Sequence, residues 1–132
     1  MNAKQRTFPT PESDPDTEAF WAAAKDGKLM LGSCKPCGEK HYYPRGMCPH
    51  CGSSDVELTQ SNGKGEIYSY SVLRRVDPPY AIAYVTLEDG PTMMTNIIEA
   101  DLDALSIGQK VQLKFSPTEE AGGAPVPTFK PA

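Results

Sequence analysis

The stretches Cys34-Lys35-Pro36-Cys37-Gly38 and Cys48-Pro49-His50-Cys51-Gly52 decide the fold of this chain, and together they contain all four of its cysteines. Each Cys-x-x-Cys pair can form a tight turn that directs two thiolates at one metal ion, and the glycine that follows allows the sharp turn. Two such turns brought together make a tetrahedral four-sulfur site, the usual closed structural zinc site. The sequence therefore predicts a zinc ribbon over residues 28–60. Its predicted zinc ligands are Cys34, Cys37, Cys48 and Cys51.

Other interpretations of the cysteines remain open at this point. Two disulfides are conceivable, but residues 1–16 contain no apolar segment of the kind that a secretory signal needs. We therefore expect a reducing, cytoplasmic location, where structural disulfides are rare. Iron can be bound by the same four thiolates, so zinc is the expected metal without being the only candidate. His41 and His50 are alternative ligands, although with four cysteines available both are expected to face solvent.

The composition limits the classes of function. The 132 residues include 13 Lys and Arg against 17 Asp and Glu, and the net charge of −4 argues against a general nucleic-acid-binding protein. No apolar run approaches the roughly 20 residues that a transmembrane helix requires, so no membrane association is expected. Thirteen prolines and eleven glycines indicate many turns and short strands.

The residues before the ribbon, 1–27, are predicted to form a flexible lead-in and one helix. Asp14 can cap this helix, and Pro15 suits its first position. Phe20 and Trp21 lie on one side of the helix, which is too short to be stable alone in water. The aromatic side must therefore pack on the protein's own core or on a partner protein. Phe20 and Trp21 are candidate partner contacts because tryptophan is enriched at interaction anchors.

After residue 60 the pattern changes to alternating strands. The turn-rich segment 61–65 is followed by predicted strands at 66–75, 81–87, 92–98 and 110–115, with one helical turn at 101–105. Four or five short strands with a small helical insertion before the last are typical of a Greek-key barrel of the OB type. We therefore predict an OB-fold over 61–118 and an extended tail over 119–132, in which Val126 and Phe129 can hold the tail against the barrel.

Taken in order, these features resemble a known family. Its members join an N-terminal helix, a rubredoxin-like zinc ribbon and a C-terminal OB-fold, so the expected fold class is mainly β. They serve as accessory subunits of thiolase-like and related acyl-CoA enzymes. Single pieces of the match are weak, but the ordered set at these spacings is specific. The pieces are Phe20-Trp21, Gly27-Lys28-Leu29, Cys34-x-x-Cys37-Gly38, Tyr43-Pro44-Arg45, Cys48-Pro49-x-Cys51-Gly52, Gly63-x-Gly65-Glu66-Ile67-Tyr68-Ser69-Tyr70, Pro79-Tyr80, Val85-Thr86-Leu87-Glu88-Asp89-Gly90-Pro91, Ile107-Gly108-Gln109-Lys110-Val111 and Val126-Pro127-Thr128-Phe129-Lys130-Pro131.

The resemblance implies that this chain is not a catalyst on its own. In such complexes a thiolase-like, aldolase or HMG-CoA-synthase-like partner carries the nucleophilic cysteine and the acid–base histidines. The small subunit stabilises that partner in a hetero-oligomer and helps form the acyl-CoA site. The reaction would make or break a carbon–carbon bond of a CoA thioester, for example in aromatic or sterol degradation. The residues agree, since the sequence has no Gly-x-Ser-x-Gly motif and no cysteine or histidine outside the ribbon.

A contribution to CoA binding would require cations for the phosphate groups. The ribbon is locally basic within an acidic protein and contains Lys40 and Arg45. Arg74 and Arg75 close the first barrel strand, and arginine suits phosphate through its bidentate guanidinium. Each of these side chains could instead be an ordinary solvated charge. Arg45 has the strongest claim because it lies in the matched Pro-Arg segment, although bracing the ribbon hairpin is an equally simple role for it.

A nucleic-acid-binding module is the alternative function. Zinc ribbons and OB-folds both occur in such proteins, and Tyr68 and Tyr70 could form a stacking platform. The net charge and the lack of a basic stripe along the barrel strands argue against this function. Tyrosines at alternating positions are also more often half-buried strand residues.

Overall fold

The computed structural model describes residues 7–132, which begin with one helix and a small three-stranded sheet. Helix α1 comprises Glu18–Lys25, and strands β1, β2 and β3 comprise Met30–Cys34, Lys40–His41 and Val56–Gln60. The sheet has the order β2-β1-β3, and both pairings are antiparallel. β1 is thus the central strand of the ribbon. Within residues 7–132, no helix has the length and apolar character needed to cross a membrane.

The second part of the chain is a closed five-stranded barrel. Its strands β4, β5, β6, β7 and β8 comprise Lys64–Leu73, Tyr80–Leu87, Thr92–Ile97, Lys110–Ser116 and Val126–Pro131. They close in the order β4-β5-β6-β8-β7, so no barrel strand is left as an open edge. A 3₁₀ turn, Leu102–Ala104, precedes β7, and Asp101 caps it by accepting a hydrogen bond from the Asp103 amide at 3.0 Å. The predicted fold class of helix, zinc ribbon and OB-fold is therefore confirmed.

Strand β8 corrects the predicted end of the barrel. The segment expected as a tail after residue 118 contains this strand, which pairs with β7 from Ser116 opposite Val126 to Val111 opposite Pro131. The prolines of this strand argue against a strand in sequence analysis, because proline has no N–H to donate to the hydrogen bonds of a sheet. In the β7–β8 ladder, residue pairs that exchange hydrogen bonds alternate with pairs that do not, and the prolines of β8 occupy the second kind of pair. The side of each proline that lacks an N–H therefore faces β6. Strand β8 connects to β6 by a single bridge. Phe129 of β8 is completely buried.

The helix begins later than the sequence predicts. The carboxylate of Asp14 accepts hydrogen bonds from the amides of Asp16 and Thr17, both at 3.0 Å, and its carbonyl oxygen accepts one from the Glu18 amide at 2.9 Å. These are the hydrogen bonds of a helix-capping residue, as predicted for Asp14. A turn over residues 15–17 follows, and the regular helix α1 starts at Glu18.

Part of the predicted flexible lead-in is packed on the protein. Phe8 is buried, forms a parallel bridge with Thr118, and accepts a hydrogen bond from the Glu119 amide at 3.0 Å. The described portion, residues 7–13, thus starts alongside the connection between β7 and β8. Residues 1–6 of the lead-in lie outside the described residues.

The aromatic side of α1 packs on the protein's own core. Phe20 is 0% exposed and Trp21 is 9% exposed, and their ring centroids lie 4.7 Å apart in an edge-on arrangement. The Trp21 indole N–H donates to the hydroxyl of Tyr43 at 2.7 Å, which ties the helix to the ribbon hairpin. The sequence left two packing surfaces open for these residues, the protein's own core and a partner protein, and the structure shows them packed on the core. The expectation that Phe20 and Trp21 form a partner contact is corrected accordingly, because they have little surface left to present.

A side-chain junction joins the ribbon to the barrel. Ser61, directly after β3, donates to the Asp89 carboxylate at 2.5 Å, and the neighbouring Asn62 donates to Glu88 at 3.0 Å. Both acids belong to the turn between β5 and β6. One hydrophobic cluster also continues from α1 and β1 into the barrel interior. The two modules therefore share a core and a polar junction.

Candidate metal centre and ligand surface

The two Cys-x-x-Cys turns have the same local structure. The Gly38 amide donates to the Cys34 carbonyl and the Gly52 amide donates to the Cys48 carbonyl, both at 2.9 Å. Both glycines have positive φ, 75° and 81°, a conformation that residues with a Cβ rarely adopt. Each turn thus presents its two cysteines toward the other turn.

The four sulfur atoms have the spacing of a tetrahedral metal site. The Sγ atoms of Cys34 and Cys51 lie 3.5 Å apart, those of Cys37 and Cys48 lie 3.8 Å apart, and all four lie within 4.8 Å of one another. A tetrahedron with Zn–S bonds of about 2.3 Å separates its sulfurs by about 3.8 Å. A disulfide would require about 2.0 Å, so the cysteines here are free thiols arranged around a common centre.

The metal centre is closed on one side and open on the other. Cys34 and Cys48 are buried, whereas Cys37 and Cys51 are exposed. Four thiolates bind zinc or iron, and the rubredoxin-like arrangement accommodates both. The residues therefore fit a structural metal, with zinc as the expected one.

The thiols of Cys34 and Cys48 have different pKa values because their surroundings differ. The backbone N–H near Cys37 lowers the pKa of Cys34, but burial and the neighbouring thiols together raise it to about 12. Burial raises the pKa of Cys48, but the amides of Cys51 and His50 lower it to about 7, and the His50 amide donates to its sulfur at 3.3 Å. A metal must therefore displace protons, which makes its affinity depend on pH.

Neither histidine belongs to the sulfur cluster within the described residues. His50 is exposed, as predicted, and its Nε2 lies 3.4 Å from the Lys40 carbonyl oxygen. His41 is only 4% exposed, contrary to prediction, and its ring occupies the space where a Cβ on Gly32 of the opposing strand would lie. A Cβ on Gly32 would come within 2.1 Å of the His41 Nε2, so this packing requires glycine. Burial, followed by the charges of His50 and Arg45, lowers the pKa of His41.

The cations predicted for phosphate binding fall into two places. Lys40 and Arg45 lie on the ribbon, and Arg74 and Arg75 lie in the connection after β4. Arg74 forms an ion pair with Asp103 at 2.6 Å. Among the described residues, no carboxylate lies within ion-pairing distance of Lys40, Arg45 or Arg75.

The outer surface of the barrel carries exposed apolar side chains that sequence analysis only partly found. Tyr68 is 67% exposed, whereas the predicted companion Tyr70 is 38% exposed and donates its hydroxyl to the Leu105 carbonyl at 2.9 Å. Tyr84 and Met94 pair across β5 and β6 and are 48% and 59% exposed. We call Tyr68, Tyr84 and Met94 the outer tyrosine face. The alternation within AIAYVTL and TMMTNII was the signal that could have revealed the last two.

Comparisons with known proteins agree with this architecture. The family models of the ChsH2 rubredoxin-like zinc ribbon domain and the ChsH2 C-terminal OB-fold domain match residues 21–57 and 58–116. A DUF35 domain-containing scaffold protein of Methanothermobacter thermautotrophicus is 33% identical over 81% of this chain and 86% of its own length. A probable enoyl-CoA hydratase alpha subunit of Thermomonospora curvata is 32% identical over 94% of this chain, which spans 40% of that relative.

Solved structures also match the architecture of a zinc ribbon followed by an OB-fold. A chain of the Ltp2-ChsH2(DUF35) aldolase superposes with a TM-score of 0.79 at 30% identity, covering 92% of this chain and 98% of the other. A DUF35 protein of unknown function from Sulfolobus solfataricus has a TM-score of 0.66 at 18% identity, covering 91% of this chain and 87% of its own, which supports the fold alone. The sulfur cluster, the barrel and these matches together show that the chain belongs to the DUF35 family, whose members join a ChsH2-type zinc ribbon to an OB-fold.

Proposed function

We propose that this protein is an accessory subunit that binds the catalytic subunit of a thiolase-like or aldolase-type acyl-CoA enzyme. In this role it stabilises the partner and helps form the acyl-CoA site. The observation that carries the proposal is the likeness to a chain of the Ltp2-ChsH2(DUF35) aldolase, because it extends over nearly the whole of both chains. The names of the other relatives, a scaffold protein and a hydratase subunit, are consistent with a role inside complexes.

The chemistry of the described residues supports a non-catalytic role. All four thiols are placed to bind one metal, and a thiolate bound to metal is not free to attack a thioester. Of the two imidazoles, His41 is buried and His50 lies with its Nε2 3.4 Å from the Lys40 carbonyl oxygen. We infer that the nucleophile and the acid–base groups come from the partner, which makes or breaks the carbon–carbon bond.

The outer tyrosine face supports the proposed protein–protein contact. Aromatic and methionine side chains are enriched in interfaces, and the three residues lie together on adjacent strands. We expect the complex to be a hetero-oligomer that acts in the cytoplasm, where the thiols stay reduced and available to metal.

Reconstitution with a thiolase-type subunit from the same organism tests the proposal. The two proteins should co-elute in fixed ratio in size-exclusion chromatography with mass detection, and acyl-CoA turnover should require both. Met94→Glu should weaken the complex by at least about tenfold, since it places a charge in an apolar contact. Met47→Glu is the matched control, because Met47 is equally exposed, at 59%, but lies on the ribbon. Separate elution together with full activity of the catalytic subunit alone would contradict the proposal.

One observation supports the alternative, nucleic-acid-binding function. Tyr68 and Tyr84 are exposed on the barrel surface on which OB-folds stack nucleic-acid bases. Lys110, which lies opposite Glu66 and close to Tyr68 in the strand register, already forms an ion pair with Glu66 at 2.9 Å. Fluorescence anisotropy with labelled single-stranded DNA and RNA distinguishes the two functions, and we expect no saturable binding at physiological salt.

A further inference from the structure

We propose that strand β3 of the ribbon, Val56–Gln60, docks an extended segment of the catalytic subunit, which adds to the ribbon sheet as a fourth strand. The inference rests on the proposed function, since the segment belongs to the partner in that complex. It goes further by naming a second contact surface and the kind of segment that fits it. This segment alternates apolar residues with polar ones and carries a cation opposite Glu57.

Strand β3 is an open edge of the ribbon sheet. The sheet has the order β2-β1-β3, and within residues 7–132 β3 pairs with β1 alone. The other edge of the sheet, β2, is only two residues long, and each barrel strand has a neighbouring strand on both sides. The ribbon therefore has one edge, β3, that is long enough to accept a further strand.

The backbone hydrogen bonds show which groups of β3 are free. The Ser61 amide donates to the Leu29 carbonyl at 2.8 Å, and the Lys35 amide donates to the Asp55 carbonyl at 3.1 Å. Since bonded pairs alternate with non-bonded pairs in an antiparallel ladder, the odd-numbered residues of 55–61 bond to β1. The residues between them direct their N–H and C=O groups away from β1, where no described residue bonds to them: Val56, Leu58 and Gln60.

These free backbone groups determine the kind of ligand. Donors and acceptors recur at every second residue of β3, about 6.8 Å apart, and another extended backbone offers the complementary groups at the same spacing. Strand β3 contains no proline or glycine and pairs with β1 without a register shift, so it lacks features that protect many edge strands against pairing. An extended peptide segment therefore fits this edge.

The side chains of β3 specify the composition of the segment. Val56 and Leu58 are half-buried and share one side of the sheet, where apolar residues of an added strand would cover them. Glu57 lies on the other side together with Asp55, and their side chains are 52% and 62% exposed. Both acids share a single cation, Lys35, at 3.9 Å from each. One negative charge thus remains for a lysine or arginine of the added strand.

This charge favours a different protein over a second copy of the chain. If Leu58 paired with Leu58 of a second copy in an antiparallel arrangement, Glu57 would lie opposite Thr59, and its charge would stay uncompensated. Two five-residue strands are also marginally stable as an isolated pair. In the complex with the catalytic subunit, contacts at the outer tyrosine face would add to the strand pairing.

Hydrogen–deuterium exchange with single-residue resolution tests the inference on the full-length, zinc-loaded protein, free and in complex with the catalytic subunit. The outward amides of Val56, Leu58 and Gln60 should exchange at least about tenfold more slowly in the complex. Those of Glu57 and Thr59, which already bond to β1, should be slow in both states. Simple burial of the ribbon surface would lack this alternation, so the pattern identifies strand addition.

Two substitutions test the backbone and charge contributions. Leu58→Pro removes one outward N–H, which an edge strand tolerates, and should weaken the complex by about tenfold. Leu58→Val is its matched control, because it keeps the N–H and an apolar side chain. Glu57→Lys should weaken the complex by about fivefold, whereas Glu39→Lys, on the β2 side of the sheet, should leave it unchanged. Thermal melting checks that each variant is folded.

The outcomes separate the inference from the proposed function. Co-elution of the two proteins without slower exchange at 56, 58 and 60, or with equal slowing throughout 55–61, would overturn the inference and leave the accessory role intact. Slow exchange of the outward amides in the free protein would also overturn it. The occupant would then be a second copy if the effect grows with protein concentration, and another segment of this chain if it does not. Failure to co-elute would overturn the proposed function, and the docking of its segment with it.

Discussion

Replacing Gly32 with alanine should destabilise the ribbon through His41. A Cβ at position 32 would lie 2.1, 2.4 and 2.7 Å from three atoms of the His41 ring, closer than such contacts allow. The ring must leave its site, and exposing about 100 Å² again at about 25 cal/mol per Å² costs about 2.5 kcal/mol. The lower backbone entropy of alanine in the unfolded chain offsets about 0.5 kcal/mol of this loss. We expect a net loss of about 2 kcal/mol in the free energy of unfolding.

Urea unfolding of the zinc-loaded protein, followed by circular dichroism, measures this loss, and the melting temperature should fall by roughly 6–10 °C. Gly46→Ala is the matched control, since the only close neighbour there is the flexible carboxylate of Asp16 at 3.0 Å. The double variant Gly32→Ala/His41→Ala should be less destabilised than the sum of the single variants by about 1–2 kcal/mol, because the clash is absent. A loss below about 0.5 kcal/mol for Gly32→Ala, or strict additivity, would refute the reasoning.

Three further predictions concern the ribbon and the helix. Cys34→Ser should lose metal and unfold the ribbon, since metal binding is coupled to folding. Elemental analysis measures the metal content and thermal melting measures the stability. If neither quantity changes, the prediction is wrong. Because burial lowers the pKa of His41 below 6.5, the unfolded state binds the proton more readily, and the stability that His41 contributes should be complete above about pH 6.5 and lost as the pH falls. The difference between wild type and His41→Phe across pH 5–8 isolates this effect from the thiols, and parallel curves would refute it. Phe20→Ala should destabilise the isolated protein by about 3–5 kcal/mol because the ring is completely buried. Trp21→Phe should cost about 1 kcal/mol through loss of the hydrogen bond to Tyr43, and unchanged unfolding curves for both variants would show that α1 is not docked in solution.

The parts of the fold that sequence predicts well are those set by local chemistry. The clustering of the four cysteines follows from the Cys-x-x-Cys-Gly spacing, because each turn is formed within five residues. Strand β6, at Thr92–Ile97, and the 3₁₀ turn Leu102–Ala104 lie within the predicted segments 92–98 and 101–105, since alternation and turn formation act over short distances. Strand β8 was missed because its prolines, a signal against strand, face the side of the barrel that carries little pairing.

The parts that sequence could not predict depend on contacts between distant residues. The ion pair of Arg74 with Asp103 joins positions 29 apart, and it changes which candidate cations are available. His41 was expected at the surface and is buried, because Gly32 on the opposing strand leaves room for its ring. Whether Phe20 faces the core or a partner likewise depends on where Tyr43 comes to lie, which no local pattern records.

The hydrogen bonds at the ribbon–barrel junction determine how members of this family can be recombined. A chimera that exchanges ribbons after residue 62 would take the donors Ser61 and Asn62 from one parent and the acceptors Asp89 and Glu88 from the other. Donor pair and acidic turn should therefore be inherited as one unit. Designers who graft this ribbon onto another OB-fold should carry the β5–β6 turn with it, even though it lies 26–28 residues further along the chain.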